Sequence, residues 1–420
     1  MQELVIKGPT KINGTIEISG SKNASLPVLI STVLSKGSCV ISNVPNLRDT
    51  KFLISILSNL GCNINFKNNV VAIHSSVISK KIADYDYVRQ MRASIVLLGP
   101  IIAKYPNFKI ALPGGCAIGT RSIDLHLDAL KKMGVQIKIL NGYVVASRKI
   151  KRLNAINHRF SKISVGATQN IIMAATLANG ITILKNCAIE PEIMDLISFL
   201  TKCGSKISVN NRTIKIVGND NMILSNHEII PDRIEAGSYI LAAMATKGKI
   251  KIKNFFIEHL EEPIKIFKKM GLKIKKININ EYQFSCNAIK PINLIQTKEY
   301  PGFPTDLQAQ LITIFLKNGN QSKIKENIFE NRFIHVPELK RFGADITLRG
   351  NIVIVNKVSE LNGAEVMATD LRGSFSLIIA ALLAKGDTTI SRIYHLDRGY
   401  EDFDLKLKQC GVKIKRKNNE

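Results

Sequence analysis

HLDALKKMGVQI at 126–137 and PIKIFKKMGLKI at 263–274 are two copies of one pattern, and that pattern decides the fold. Each reads as an amphipathic helix with lysines on one side, a glycine that ends it, and a strand carrying isoleucine. The pattern returns as LISILSNLGCNI (53–64), DLISFLTKCGSKI (195–207), VPELKRFGADI (336–346) and FDLKLKQCGVKI (403–414). The six glycines, Gly61, Gly134, Gly204, Gly271, Gly343 and Gly411, are spaced 67 to 73 residues apart. A period near seventy is too long for a solenoid of small helical repeats and makes six units of the whole chain.

A second element precedes each of these helices. It is an apolar helix without a polar face, followed by Lys-Gly or Asn-Gly and a strand, as in ATQNIIMAATLANGITILKN and AGSYILAAMATKGKIKIKN. A helix apolar all round belongs in a core, and the second, lysine-bearing helix belongs on the outside. The copy ASIVLLGPIIAKYPNFKIALP lacks the terminating glycine, and LQAQLITIFLKNGNQSKIKEN has a less regular strand. Each unit is thus expected to run strand, buried helix, strand, outer helix, strand pair. Three units per domain, repeated twice, is the simplest arrangement, with the break near NHEIIPD at 226–232. The opening ELVIKGPTKINGTIEISG is a strand pair outside the six-unit count.

The chain has 420 residues, 45% of them hydrophobic and 22% charged, with no apolar run of membrane-spanning length. MQELVIKGPTKINGT lacks the pattern of a signal peptide, so a cytoplasmic protein is expected. Seven scattered cysteines without a C-x-x-C pair, and seven dispersed histidines, point to neither a disulfide framework nor a metal site. The net charge of +26 comes from lysines spread over the whole length beside abundant Asn and Ile. With no nucleic-acid-binding motif and no Trp, that distribution does not read as a nucleic-acid footprint.

The chemistry-bearing residues interrupt the apolar pattern. LPGGCAIGTR (112–121) reads as a mobile loop with Cys116 at its centre and the permanent cation Arg121 at its end. Polar clusters open each buried helix: Ser21, Lys22 and Asn23; Arg92; Lys162 and Ser164; Asp232, Arg233 and Glu235; Asp306; Asp370 and Arg372. Helix N-termini suit anions, although Ser and Asp there also serve as ordinary caps. Asp306 follows GFPT on a tight turn and fits either a general base or an N-cap. Arg332 and Arg398 read as loop arginines, either surface ion pairs or anion clamps.

Over its full length the sequence resembles the UDP-N-acetylglucosamine 1-carboxyvinyltransferase family of enolpyruvyl transferases. The resemblance rests on GSKNASLPVL, MRASIVLLGP, LPGGCAIGTRSIDLHL, SVGATQN, PDRIEAG, YPGFPTDLQAQ, FENRF, TDLRGS and HLDRGYE. It implies a two-domain inside-out α/β barrel with three βαβαββ-type repeats per domain. Residues 22–229 would form the first domain, and 1–21 with 230–420 the second, with the active site in the cleft between them. It also implies transfer of the enolpyruvyl group of phosphoenolpyruvate to the 3-hydroxyl of UDP-N-acetylglucosamine. Phosphate leaves by C–O cleavage, so neither metal nor cofactor is expected. By the same resemblance Lys22, Asn23, Arg121 and Arg398 bind phosphoenolpyruvate. Arg92, Arg121, Ser122, Ile123, Asp124, Leu125, Lys162, Ile163, Ser164, Val165, Asp306 and Ile328 line the sugar-nucleotide pocket. Cys116 matches the proton donor, which can also form a thioether and is alkylated by fosfomycin, and Asp306 matches the base. Catalysis is expected from Cys116, Asp306, Lys22 and Arg398 in a monomer that binds small molecules only. Ile189 departs from the arginine expected there. The alternatives are the sister enzyme, 3-phosphoshikimate 1-carboxyvinyltransferase, which lacks the cysteine loop, and a non-catalytic binding protein of the same fold.

Overall fold

The computed structural model describes residues 2–75, 78–83, 85–88, 91–112, 123–317 and 321–418, with the side chains of 86, 87 and 92 excepted. These described residues form two compact units, one of those between 20 and 230 and one of 2–19 with those from 231 to 418.

The third repeat shows the design in its most regular form. A short strand Asn157–Arg159 leads into the buried helix Val165–Thr176, strand Ile181–Lys185, outer helix Pro191–Lys202, and a hairpin of Lys206–Asn210 and Thr213–Val217. The leading strand runs parallel to the second, and the hairpin pairs antiparallel through its later strand. Among the described residues, all six four-stranded sheets have this order: leading, second, fourth, third. The seventy-residue period therefore corresponds to one βαβαββ sheet per repeat.

Three repeats are completed by strands distant in sequence. His227–Glu228 is the leading strand of the first repeat, parallel to Gly37–Ser42. Asn13–Glu17 leads the fourth, parallel to Lys249–Lys253. Gln2–Gly8 fills the fourth place of the sixth sheet, between Gly386–Ser391 and Lys413–Asn418. The opening strand pair is thus built into the unit of 231–418.

In each unit the apolar helices are inside and the sheets outside. Every residue of Arg233–Ala245 is buried, and this helix packs on Gln308–Phe315 and Ser374–Leu383. An apolar sequence of this kind gains about 25 cal/mol for each Å² taken out of water, which favours full burial over an amphipathic posture. The outer helices follow the lysine pattern. In Glu261–Lys269, Pro263, Ile264 and Phe267 face the core, while Lys265, Lys268 and Lys269 are exposed. One outer helix departs from the expectation. Pro191–Lys202 carries no lysine before its last residue; it is buried over most of its length and packs on Lys22–Ser31.

All six repeat glycines have φ between +86° and +117°, the left-handed conformation in which a Cβ is strained. After the fourth inner helix the expected Lys-Gly cap works differently. Lys247 takes the left-handed position at φ +52°, and Gly248 is there for space, since a Cβ would lie 2.1 Å from the Ile12 carbonyl oxygen.

Where the second repeat lacks its glycine, an arginine closes the helix. Arg148 donates through Nε to Ile102 O (2.8 Å) and through Nη2 to Lys104 O (3.2 Å) and Ala103 O (3.4 Å). Its Nη1 donates to the carbonyls of Ile150 and Lys151. A planar cation at a helix C-terminus satisfies orphan carbonyls and opposes the dipole. Arg148→Ala should lower the unfolding free energy by about 1–3 kcal/mol. Arg148→Lys, without the planar fork, should recover less than half of the loss, read from urea midpoints at constant m-value.

Candidate active site

In the unit of 20–230, Lys22 and Asn23 form the first turn of the helix Lys22–Ser31. Ser21 caps that helix, accepting from Ala24 N at 3.4 Å. The Lys22 ammonium lies 3.3 Å from Asp49 Oδ2, its side chain 12% exposed. Ser164 caps Val165–Thr176 in the same way (3.3 Å from Ala167 N), with Ile163 and Val165 half-buried and Lys162 exposed. Ile123, Asp124 and Leu125 open the helix Asp124–Lys132.

These last two groups are neighbours in space. A Cβ on Gly166 would lie 3.3 Å from His126 Cε1, so the glycine lets the start of one helix lie against the start of the other. Asn170 fixes the junction. Its Nδ2 is 2.9 Å from His126 Nδ1, and its Oδ1 accepts from Gly99 N at 2.7 Å. The structure thus brings 123–125 and 162–165 together beside the turn that begins at Arg92. Cys116, Arg121, Ser122 and the loop of 113–122 lie outside the described residues, as does the Arg92 side chain.

The other six cysteines are all buried. Burial pushes the Cys39 and Cys187 thiols up to about 12 and Cys410 up to about 11. Cys62, Cys203 and Cys286 are raised for the same reason. A thiol held protonated in an apolar site is inert, so none of the six is suited to proton transfer or nucleophilic attack.

In the unit of 231–418, Asp306 sits within the single turn Thr305–Leu307. It makes an ion pair. Arg332 Nη2 donates to Asp306 Oδ1 at 2.6 Å, and Arg332 Nη1 to Asp370 Oδ2 at 3.2 Å. Arg332 is 4% exposed and Asp306 27%. This corrects the reading of Arg332 as a surface ion pair or anion clamp, because its guanidinium is buried between two carboxylates. Asp370 in turn accepts from Gly373 N at the start of the sixth inner helix.

A second network ties the same helix ends together. Asp232 caps Arg233–Ala245 through Oδ1, accepting from Ile234 N (2.8 Å) and Glu235 N (3.0 Å). Its Oδ2 receives Arg372 Nη2 at 2.8 Å. Arg372 also donates to Gly399 O (3.0 Å) and stacks 5.0 Å from the Tyr400 ring centroid. Ser238 commits its proton to Ile234 O, so the Tyr400 hydroxyl, 2.8 Å away, donates to Ser238 Oγ. Burial pushes that phenol up to about 12, which keeps the proton in place. Gln310 Nε2 donates to Ser238 Oγ and Tyr400 Oη at 3.1 and 3.2 Å. Half-buried Arg398 ends the turn Ile393–Arg398, next to the Gly399 carbonyl that Arg372 holds. Ile328 is half-buried in the bend after strand Gln321–Lys325.

Sequence reading did not find Gln310, Tyr400 or Asn170. Gln310 and Asn170 were detectable in principle as amides inside otherwise apolar helices, a pattern that implies a buried partner. For Tyr400 no local signal exists.

Arg372→Met leaves Asp232 buried without its cation and should cost about 3–5 kcal/mol, read from urea unfolding. A pH effect follows from two buried imidazoles. Burial pushes His126 down to about 4, and His335 also to about 4 against the pull of Asp370. Both lie below the ordinary 6.5, so as pH falls the unfolded chain takes up these protons first. Stability should be full above about pH 6.5 and decline toward pH 4. Neither ring nitrogen of His335 has a hydrogen-bond partner among the described residues. His335→Phe should therefore fold and flatten that decline, measured by urea titration at successive pH values.

Comparison with known proteins follows the same lines. The family profile described as EPSP synthase (3-phosphoshikimate 1-carboxyvinyltransferase) matches residues 6–407. A UDP-N-acetylglucosamine 1-carboxyvinyltransferase of Pelagibacter ubique is 49% identical, covering 100% of both chains. Enzymes of the same name from Campylobacter lari and Geobacter metallireducens are 48% and 47% identical, each over 99% of both chains. Among solved structures, the enolpyruvyl transferase NikO from Streptomyces tendae superposes with a TM-score of 0.89 at 21% identity, covering 100% of this chain and 99% of that one. EPSP synthase from Acinetobacter baumannii gives 0.78 at 17% identity, with both chains covered in full.

Proposed function

The chain belongs to the EPSP synthase family and, within it, to the UDP-N-acetylglucosamine 1-carboxyvinyltransferases, and from that premise we propose how its residues carry out the reaction. The enzyme transfers the enolpyruvyl group of phosphoenolpyruvate to the 3-hydroxyl of UDP-N-acetylglucosamine and releases phosphate, at the entry to peptidoglycan precursor synthesis. What carries the choice of acceptor is the full-length identity of nearly half to enzymes named for the sugar nucleotide.

Three chemical tasks need residues. The methylene carbon of phosphoenolpyruvate must gain a proton, the 3-hydroxyl must lose one as its oxygen attacks the adjacent carbon, and phosphate must leave by C–O cleavage as the methyl group so formed gives up a proton to restore the C=CH2 double bond. In our reading Cys116 supplies the first proton and Asp306 takes the second. Lys22, Asn23, Arg121 and Arg398 hold the carboxylate and phosphate of phosphoenolpyruvate, cations meeting anions that stay anionic throughout. Arg92, Arg121, Ser122, Ile123, Asp124, Leu125, Lys162, Ile163, Ser164, Val165, Asp306 and Ile328 receive the sugar nucleotide. The adjacency of 123–125 and 162–165 supports a shared pocket for them.

The geometry of Asp306 supports its role. One carboxylate oxygen is held at 2.6 Å by Arg332, which limits the rotation of the group, and its side chain retains some exposure. An oriented, accessible carboxylate is what proton abstraction from a bound hydroxyl requires. Among the described residues no helix is long and apolar enough to cross a membrane. Both substrates are charged metabolites, and we place the enzyme in the cytoplasm, acting as a monomer without nucleic acid.

The test is phosphate release from phosphoenolpyruvate with either UDP-N-acetylglucosamine or shikimate 3-phosphate. Release with the sugar nucleotide alone, falling by at least about 100-fold in Cys116→Ala, is the expected result, in line with loss of a general acid. Release with shikimate 3-phosphate would move the chain to the sister activity. Fosfomycin should inactivate the wild type and leave Cys116→Asp active.

A further inference from the structure

The turn that carries Asp306 is held from two sides by one seven-residue segment, Glu326 to Arg332. Arg332 grips the Asp306 carboxylate, as described. At the other end Glu326, 2% exposed, reaches the residue before it: Thr305 Oγ1 donates to Glu326 Oε2 at 2.9 Å. The remaining oxygen, Oε1, accepts from Ile328 N at 2.8 Å and Phe329 N at 3.2 Å. One carboxylate therefore closes the bend that presents Ile328 and docks that bend on the Asp306 turn. The backbone of Glu326 is itself fixed: its N–H donates to Asn351 O (2.8 Å), and its carbonyl accepts from Asn351 Nδ2 (2.9 Å).

The chemistry of these contacts selects an acid. Two of the partners are backbone N–H groups that can only donate, both to Oε1, and the Thr305 hydroxyl donates to Oε2, a set that a carboxylate satisfies with its two oxygens. The placement is also unusual for a strand end. Ser322 and Ile324 point inward, and the two-residue alternation puts Glu326 inward as well, where an apolar side chain would ordinarily sit. An acid at that phase is expensive to bury unless its hydrogen bonds are worth keeping.

We propose that Glu326 is a positioning residue for enolpyruvyl transfer, setting the orientation of Asp306 through Thr305 and the position of Ile328 through the bend. The inference rests on the reading of Asp306 as the base. It concerns kcat more than substrate affinity, because misorienting a proton acceptor slows the chemical step without removing a phosphoenolpyruvate contact.

The test uses Thr305→Val, which removes one hydrogen bond and leaves the volume nearly unchanged. Its kcat should fall about tenfold, with KM for phosphoenolpyruvate within about twofold and the melting temperature within about 2 °C of wild type. Thr305→Ser, which keeps the hydroxyl, should restore most of the rate. Glu326→Ala should lose at least as much as Thr305→Val; if the alanine variant fails to fold, Thr305→Val still reads the same contact. The decisive comparison is made in an Asp306→Asn background, where a group acting through Asp306 has little left to act on. There Thr305→Val should cost less than about twofold. An equal cost in both backgrounds, or an unchanged kcat in Thr305→Val, overturns the inference while the reading of Asp306 stands. An Asp306→Asn enzyme with wild-type turnover overturns that reading, and the inference with it.

Discussion

Burying whole helices creates a debt at their ends, and much of the structure follows from meeting it. A helix leaves four N–H groups and four carbonyls without internal partners, and an inner helix cannot turn them all to water. At the N-termini the partners are Ser21, Ser164, Asp232 and Asp370, each accepting a backbone N–H. At a C-terminus the answer is a left-handed residue, such as Lys247, or a cation reaching back to the carbonyls, such as Arg148. Lys104 does the same for the first inner helix, donating to Val33 O at 2.9 Å. The charged clusters of the site grow from this requirement. Asp232 and Asp370 are buried because helices start there, and buried carboxylates then bring in Arg372 and Arg332.

This origin explains which parts of the fold and site could be read from the sequence. The six repeat glycines were legible because a left-handed residue has few substitutes, and so were the inner helices, whose apolar character needs no knowledge of neighbours. The outer helix Pro191–Lys202 misled because the rule was applied to the class and not to its own composition, which lacks the lysines. The capping role of Arg148 could not be foreseen, since the helix carbonyls it closes lie more than forty residues away. For Arg332 the sequence shows an isolated arginine, and only the third dimension places Asp306 and Asp370 on either side of it. The candidate residues themselves came from a motif-level resemblance; physical reading of the chain supplied carboxylates, cations and a thiol, but not their assembly.

The net charge of +26 finds a plain place in this architecture. On the sheet of the fourth repeat, Lys249, Lys253, Lys273 and Lys275 are exposed, facing water on the side opposite the core. Charges so placed cost little to fold and are screened beyond about 8 Å at physiological ionic strength. A few cations are instead withdrawn from water and matched with acids, as Lys22 is with Asp49 and Arg372 with Asp232.

The borrowed strands have a consequence for the order of synthesis. Asn13–Glu17 pairs with Lys249–Lys253, a separation of 236 residues at the Asn13–Lys249 contact, and Gln2–Gly8 waits longer still for Gly386–Ser391. At about 5–20 residues per second the ribosome leaves Asn13–Glu17 without its sheet for roughly 10–50 s. The described residues of the other unit, by contrast, all lie between 20 and 230, and the last piece of their first sheet, His227–Glu228, arrives at the very end of that stretch. The nascent chain can therefore finish one unit while it carries two unpaired strands at its leading end, held in reserve for a body not yet translated.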